Sequence, residues 1–174
     1  MRGWPAFLAA PLVVVAPAAF ATVYLSVEQA QQAIFPGASF TAAPVSLTEE
    51  QKRAVESRSG VKVRSSEQPA WKVGTGGWFF VDQVIGKHEL ITYAVGLEPD
   101  GGIRGIEVLE YLESYGGQIR YPEWRKQFAG KKATDRVRLD EDILNISGAT
   151  LSCRHVTEGV KRLLLLHEIV LKQR

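Results

Sequence analysis

The sequence has few of the residues on which disulfide frameworks and metal sites depend. It contains one cysteine, Cys153, and three scattered histidines, His88, His155 and His167. A single cysteine excludes an internal disulfide, and neither it nor the histidines have the spacing of a haem-attachment or metal motif. We therefore expect no metal site, and we interpret Cys153 as a packed structural residue rather than a redox thiol.

The chain also lacks a strong charge imbalance. Its formal net charge is +2 over 174 residues, and its basic residues are dispersed. Aromatic and basic residues do not alternate along the chain as they do in proteins that bind single-stranded nucleic acid. Nucleic acid is therefore not an expected partner. No nucleophilic triad or paired carboxylates have a spacing that indicates catalysis, and no catalytic residue is assigned. The length and the 45% apolar content suit one domain with a core.

The first 21 residues have the pattern of a secretory signal. Arg2 gives a short basic start, an apolar stretch covers residues 7–20, and Ala19-Phe20-Ala21 has the small-x-small form of a cleavage site. We predict cleavage after Ala21 and export, for example to the periplasm. The alternative is an uncleaved anchor that runs on to Leu25 and would hold the protein at a membrane. The apolar run is nearly as long as a membrane span, which needs about 18 residues.

Residues 22–60 are predicted to form a helical lead-in layer. Ser26-Val27-Glu28-Gln29 and Thr48-Glu49-Glu50-Gln51 both have the form of a capping box. Pro36-Gly37 and Gly60 then end the two helices. The segment between them, residues 38–46, is interpreted as a linker of small residues and proline.

Residues 61–111 contain short β-rich runs separated by glycine and proline turns. Consecutive strands with tight turns predict an antiparallel meander. Ile91, Tyr93 and Val95 alternate with Thr92 and Ala94, as in a sheet with one face on a helix layer. The predicted strands are 61–64, 71–73, 78–85, 89–97 and 103–111.

The end of the chain predicts a helix that covers this sheet. Apolar residues recur at helical spacing through residues 156–171, and the helix is expected to begin near Thr150. The predicted fold class is therefore α+β: an antiparallel sheet covered by a C-terminal helix, with the N-terminal helices as a lead-in layer.

The start of that helix is a candidate phosphate site. Its free N–H groups and positive dipole end favour an anion, and Gly148 lets the backbone approach closely. The alternative from the residues alone is that Ser147 or Thr150 is an ordinary N-cap and that nothing binds.

Ser147-Gly148-Ala149-Thr150 ahead of an amphipathic helix resembles the flavinylation signature of the FMN-binding domain family. That family includes the flavoprotein subunits of sodium-translocating NADH:quinone reductase and of the Rnf electron-transport complexes. In these relatives a flavin transferase joins FMN through its phosphate to the threonine, as a phosphodiester. The resemblance implies FMN as the cofactor and Thr150 as its covalent acceptor. It also implies that the transferase recognises Ser147, Gly148 and Ala149. Leu151 and Ser152 would supply backbone amides near the phosphate.

The sequence departs from the family pattern just before this motif. Relatives commonly carry an aspartate there, whereas this chain has Leu144 and Asn145. Asp142, slightly upstream, is the candidate substitute.

A second segment of the resemblance follows the last predicted strand. Glu113-Ser114-Tyr115-Gly116 is similar to the Glu-Thr-Pro-Gly-containing loop that flanks the isoalloxazine ring in the family, with Ser for Thr and Tyr for Pro. The resemblance implies that Glu113 and Ser114 contact the flavin. From the residues alone, the paired glycines and Tyr115 would suit a flat ring, and a plain loop is the alternative.

Together these segments extend the resemblance over residues 71–171 and place an FMN-binding domain at residues 61–174. The function it implies is an exported electron-transfer protein that carries FMN on Thr150. The implied partners are a flavin transferase and redox partners such as a membrane reductase, a cytochrome or another flavoprotein. The alternatives are a non-redox or non-covalent FMN-binding or interaction module, and a flavin-dependent reductase with its own substrate pocket.

Overall fold

A computed structural model of the chain describes residues 22–172, so the predicted signal segment, 1–21, lies outside the described residues. Within residues 22–172, no helix combines the length and apolarity needed to cross a membrane. The strands are β1 (Thr22–Val23), β2 (Phe40–Ala42), β3 (Val45–Ser46), β4 (Glu67–Gln68), β5 (Ala70–Val73), β6 (Trp78–Ile85), β7 (Leu90–Leu97) and β8 (Ile103–Tyr111). The helices are α1 (Val27–Ile34), α2 (Glu49–Ser59), α3 (Pro122–Arg125) and α4 (Thr150–Leu166), with 3-10 turns at Gly117–Arg120 and Lys126–Phe128 and a π-helical end at His167–Leu171.

Six of the strands form one antiparallel sheet in the order β1-β8-β7-β6-β5-β2. The long strands β6, β7 and β8 are its centre and are consecutive in the chain, with Val81 opposite Ala94 and Val95 opposite Ile106. β3 and β4 form a separate two-stranded ribbon. The predicted α+β fold, an antiparallel sheet with a C-terminal helix, is confirmed.

The strand prediction missed the two-residue strands β1 and β4 and was wrong for residues 38–46 and 61–64. Residues 61–64 do not form a strand, because the amides of Val61 and Val63 bind the side chains of Ser59 and Glu56 at the end of α2 instead of a ladder partner. Residues 38–46 are not merely a linker, since β2 and β3 form on either side of Pro44. A proline between two short edge strands removes no ladder hydrogen bond.

The two N-terminal helices begin with the predicted capping boxes, at Ser26 and Thr48. They lie on opposite faces of the sheet. α1 packs its buried residues with Phe79, Ala94 and Leu109 on one face. α2 lies beside α4 on the other face, where Val55 joins the larger core. Because both faces are covered, Ala94 is as fully buried as its neighbour Tyr93.

α4 is held on the sheet by a close approach and a buried ion pair. Gly159 lies against the hydroxyl of Tyr93, and a Cβ at this position would overlap it. Arg162 forms a buried ion pair with Asp82, which also accepts a hydrogen bond from Tyr93. Burial first, and then the charge of Asp82, raise the pKa of Tyr93 well above its usual value. These contacts place the first turns of α4 beside the β6–β7 turn and the end of β8.

Candidate functional site

Thr150 is the first residue of α4, and no side chain caps the start of this helix. Ala149 occupies the N-cap position, whereas α1 and α2 both begin with a hydrogen-bonded serine or threonine. Neither Ser147 nor Thr150 is therefore an ordinary N-cap. The backbone amides of the first turn are left to serve as donors for an anion.

The small residues before the helix leave this start open on one side. Gly148 has φ +83°, and a Cβ added to it would meet no atom within 4 Å. The amide of Ala149 donates to the carbonyl of Ile146 at 2.9 Å, which turns the chain into the helix. Ser147 is exposed and Thr150 is half-buried. The hydrogen bond that the hydroxyl of Thr150 accepts from Asn145 is exposed, which places this hydroxyl at the surface of the turn.

The glycine loop after β8 lies directly against the motif. Gly116 has φ +92°, and a Cβ added there would lie 3.2 Å from Cβ of Ala149 and 2.6 Å from the hydroxyl of Tyr111. Only a glycine therefore permits this packing. The structure thus brings together the two segments that the resemblance singled out, Glu113–Gly116 and Ser147–Thr150, although they lie about 30 residues apart.

Tyr111 joins the loop to the helix, a role that the sequence did not indicate. Its hydroxyl donates a hydrogen bond to the carbonyl of Tyr115. Because that donation uses its single proton, the hydrogen bond of 2.8 Å to Ser152 must be donated by the serine. Burial raises the pKa of Tyr111. Ser152, assigned by the resemblance to the phosphate environment, is buried and holds its side chain on Tyr111.

Asn145 is the side chain that contacts the proposed acceptor. Its Nδ2 donates to Oγ1 of Thr150 at 3.1 Å. The preceding residue, Leu144, is held by its backbone: its carbonyl accepts from Nε1 of Trp124 at 2.9 Å, and its amide donates to Oε1 of Gln127 at 2.7 Å. From the sequence, Asn145 was notable only because relatives commonly carry an aspartate in this part of the chain. The hydrogen bond from Asn145 to Thr150 could not be predicted.

Asp142, the candidate substitute for that aspartate, is used elsewhere. Its carboxylate accepts from the backbone amides of Val137 and Arg138, at 3.1 and 2.7 Å, and from Nζ of Lys131 at 3.0 Å. Although burial alone would raise its pKa, these donors lower it. Asp142 therefore holds the loop of residues 137–142 and does not contact Thr150.

Glu113 binds the β6–β7 turn. Its Oε1 accepts from the backbone amides of His88 and Glu89, the latter at 3.0 Å. Partial burial would raise the pKa of Glu113, but these amide donors lower it overall. The same turn touches α4, because Nδ1–H of His155 donates to the carbonyls of Ile85 and Gly86. Glu113 thus positions the turn beside the helix start, while Ser114 is exposed.

Three large apolar side chains that flank residues of the site in sequence are exposed. Tyr115 is 86% exposed, Leu144 70% and Leu151 40%. Each is the neighbour in sequence of a residue that contacts the helix start or belongs to it, namely Gly116, Asn145 and Thr150.

Cys153, by contrast, is fully buried in the core, and burial raises the pKa of its thiol. A buried thiol with a raised pKa is a poor nucleophile. The packing role predicted for it agrees with this environment.

The arrangement fits FMN. The uncapped helix start offers amide donors of the kind that a phosphate binds, and Gly148 leaves room beside them. The exposed side chains of Tyr115, Leu144 and Leu151 offer apolar and aromatic surface for a flat ring.

Comparison with known proteins agrees with this geometry. The model of the FMN-binding domain matches residues 86–165, which extend from the β6–β7 turn into α4 and contain both segments of the site. No curated protein matches the chain. The resemblance to the FMN-binding domain family is therefore confirmed over residues 86–165, and this match indicates FMN as the cofactor.

Proposed function

We propose that the protein is an exported electron carrier that holds FMN covalently, through a phosphodiester, on Thr150. The observation that carries the proposal is the start of α4 inside the matched domain: an uncapped helix begins at a threonine whose hydroxyl lies at the surface. A capping side chain would occupy the amides that an anion needs, and this helix start has none.

The attachment step needs a flavin transferase as the partner. Oγ1 of Thr150 forms a bond to the phosphorus of an activated FMN donor that the transferase supplies. The bond from that phosphorus to the leaving group breaks, and the hydroxyl proton passes to the departing group. Asn145 donates a hydrogen bond to Oγ1 of Thr150 and so occupies one lone pair of this oxygen. The proton of the Thr150 hydroxyl is not used in this hydrogen bond and can be transferred during attachment. Ser147 and Gly148 are exposed, while Ala149 is buried, so a transferase would reach the acceptor from the side of Ser147 and Gly148.

The residues of the site suit electron transfer better than turnover. Bound FMN can accept electrons singly or in pairs, and the protein contributes position, exposure and electrostatics. A membrane reductase, a cytochrome or another flavoprotein would exchange electrons with the flavin bound at this exposed part of the protein. Glu113 and Asp142 are both engaged by backbone amides, so neither is assigned as a general acid or base.

Export is the third part of the proposal and rests on the signal pattern of residues 1–21. A cofactor joined to the chain cannot diffuse away outside the cytoplasm. If the segment is not cleaved, the same carrier would be anchored to the membrane.

One observation favours a second candidate, a module that binds FMN without a covalent bond or without a redox role. The exposed Leu144 stands where relatives commonly carry an aspartate, and Asp142 does not replace it. In that case the helix start would bind the phosphate of free FMN by its amides alone.

Intact mass of the purified protein separates these candidates. The protein is made with a flavin transferase, as wild type, Thr150→Ala and Thr134→Ala. Thr134 is an exposed threonine outside the site and serves as the matched control. We expect a flavin-sized mass increment on the wild type and on Thr134→Ala, and none on Thr150→Ala. A wild type that carries only dissociable FMN would favour the non-covalent module.

A further inference from the structure

A basic cavity opens beside α4, and its lining includes no residue of the glycine loop. It has a volume of about 660 Å³ and lies between the end of α2, residues 136–139 and α4. Five cationic side chains line it: Arg58, Arg136, Arg138, Arg154 and Lys161. They come from three separate segments of the chain, so the fold, and not one local run of sequence, concentrates the charge here.

The carboxylates near the cavity leave part of this charge uncompensated. Arg58 pairs with Glu168 at 3.0 Å, while Arg136 and Arg138 share a single carboxylate, Glu141, at 2.6 and 3.5 Å. Among the residues that the structure describes, Arg154 has no ion-pair partner, and Glu158 is the acidic residue of the lining. An anion that enters the cavity therefore meets arginines whose charge is unpaired or shared.

Two of the arginines are displayed by a strained loop. Val137, between them, has φ +45° although it is β-branched, and its side chain is 2% exposed. A β-branched residue rarely adopts this conformation, and such strain persists only where the surroundings enforce it. Here the carboxylate of Asp142 binds the amides of Val137 and Arg138. The buried valine directs its two neighbours toward the outside, where they line the cavity.

Lys161 fixes the other end of the same loop. Its ammonium group donates to the carbonyls of Ala133, at 2.8 Å, and Asp135. Burial lowers its pKa, although the nearby charge of Asp135 opposes the shift. The cavity wall is thus held at both ends by charged side chains that bind backbone atoms.

From these contacts we infer that the cavity binds a compound bearing two or more phosphate or carboxylate groups. Arginine is the side chain that best recognises such groups, because its planar fork donates two parallel hydrogen bonds. The volume lies in the range of small-molecule sites, and the mainly polar lining suits an oligoanion rather than an apolar ligand. This inference does not depend on flavin attachment.

The position of the cavity relates this ligand to the flavin site. Thr150, Arg154, Thr157 and Lys161 recur at the spacing of one helix face, and the last three line the cavity. The oligoanion would therefore bind on the face of α4 that begins with Thr150, without occupying the helix start.

Calorimetric titration of the full chain with inorganic pyrophosphate tests the inference. The titration is done at about 0.1 M salt, because interactions between distant exposed charges are screened at that ionic strength. We expect saturable binding to the wild type that weakens about tenfold or more in the double variant Arg138→Gln/Arg154→Gln, because each lost charged hydrogen bond changes the affinity by about this factor. The matched control is Arg53→Gln/Lys72→Gln, which removes the same charge at exposed positions outside the cavity. This control should bind pyrophosphate as the wild type does.

Two results would overturn the inference. One is the absence of saturable binding to the wild type. The other is an equal loss of affinity in the cavity variant and in the control, which would mean that pyrophosphate responds to overall charge. Neither result bears on Thr150, because the mass measurement of flavin attachment is independent of this titration.

Discussion

Gly116 and Ala149 are in contact, and their contact joins the loop after β8 to the start of α4. A Cβ on Gly116 would lie 3.2 Å from that of Ala149, and φ of Gly116 is +92°. Both constraints call for glycine. The surface around Thr150 is therefore a product of tertiary packing between two segments that are distant in the chain.

This contact predicts a large effect of Gly116→Ala. The new methyl group meets the hydroxyl of Tyr111 and a backbone that disfavours it, so we expect a loss of about 2–4 kcal/mol in the free energy of unfolding. Gly130→Ala is the control, since Gly130 has φ +77° and open space around it. The free energy of unfolding of this variant should fall by only about 1 kcal/mol. Urea denaturation measures both values. Equal losses would show that the contact between Gly116 and Ala149 is not tight.

The hydrogen bonds of Tyr111 predict a coupling with Ser152. Tyr111→Phe removes the donor to the carbonyl of Tyr115 and the acceptor for Ser152, and it should cost about 1–2 kcal/mol. A double-mutant cycle with Ser152→Ala should give a coupling energy of about 0.5 kcal/mol or more. Tyr121→Phe, at a half-exposed tyrosine, should be nearly neutral. Strict additivity of the two changes would contradict the shared hydrogen bond.

The lowered pKa of Glu113 predicts a pH-dependent contribution to stability. A carboxyl group whose pKa is lower in the folded than in the unfolded state stabilises the fold above its unfolded pKa, and this contribution disappears as the pH falls through the folded value. The unfolded value is close to 4.5. Glu113→Gln should therefore be less stable than the wild type at neutral pH, and the difference should shrink as the pH falls below that value.

Unfolding measured from about pH 7 to about pH 3 gives this profile. Glu50→Gln, at an exposed glutamate of α2, is the control and should leave it unchanged. A difference between wild type and Glu113→Gln that stays constant over this range would mean that the charge of Glu113 does not bind the β6–β7 turn.

The contact between Asn145 and Thr150 predicts an effect on flavin attachment. Asn145→Ala removes the donor that orients Oγ1 of Thr150, so a smaller fraction of the protein should carry flavin after limited exposure to the transferase. Gln118→Ala, at an exposed amide in the turn after Gly117, should be modified as the wild type is. Mass spectrometry gives both fractions. Equal modification of the two variants would remove the orienting role of Asn145.

Thermal unfolding tests whether the flavin packs against the protein. A ligand that binds only the folded state raises its stability. Modified wild type should melt above both unmodified wild type and Thr150→Ala, with each kcal/mol of ring contact adding about 2–4 °C. The two unmodified proteins should melt together. If modification leaves the melting temperature unchanged, the ring projects into solvent.

Much of this fold could be predicted from local patterns. The capping boxes at Ser26 and Thr48 and the start of α4 at Thr150 depend on neighbouring residues, and the sequence identified all three. β2 was misjudged because it depends on a distant strand, and residues 61–64 were misjudged because their amides bind nearby side chains of α2. The amide of Val63 binds Glu56, while β2 forms only against β5.

The same distinction applies to the site. The small residues Ser147–Thr150 and the loop Glu113–Gly116 were recognisable as motifs, but the side chains that join them were not. Tyr111 looked like the end of a strand, and Asn145 looked like a departure from the family pattern. The hydrogen bond of Tyr111 with Ser152 exists only where separate segments meet, while that of Asn145 with Thr150 depends on the local shape of the turn before α4.

The most direct test of this account is peptide mapping of the exported protein, made in a host whose flavin transferase modifies a second, known substrate. The account predicts that the flavin mass is found on the peptide containing Thr150 and on no other peptide. A Thr150 peptide that is entirely unmodified, while the second substrate in the same cells carries its flavin, would contradict it.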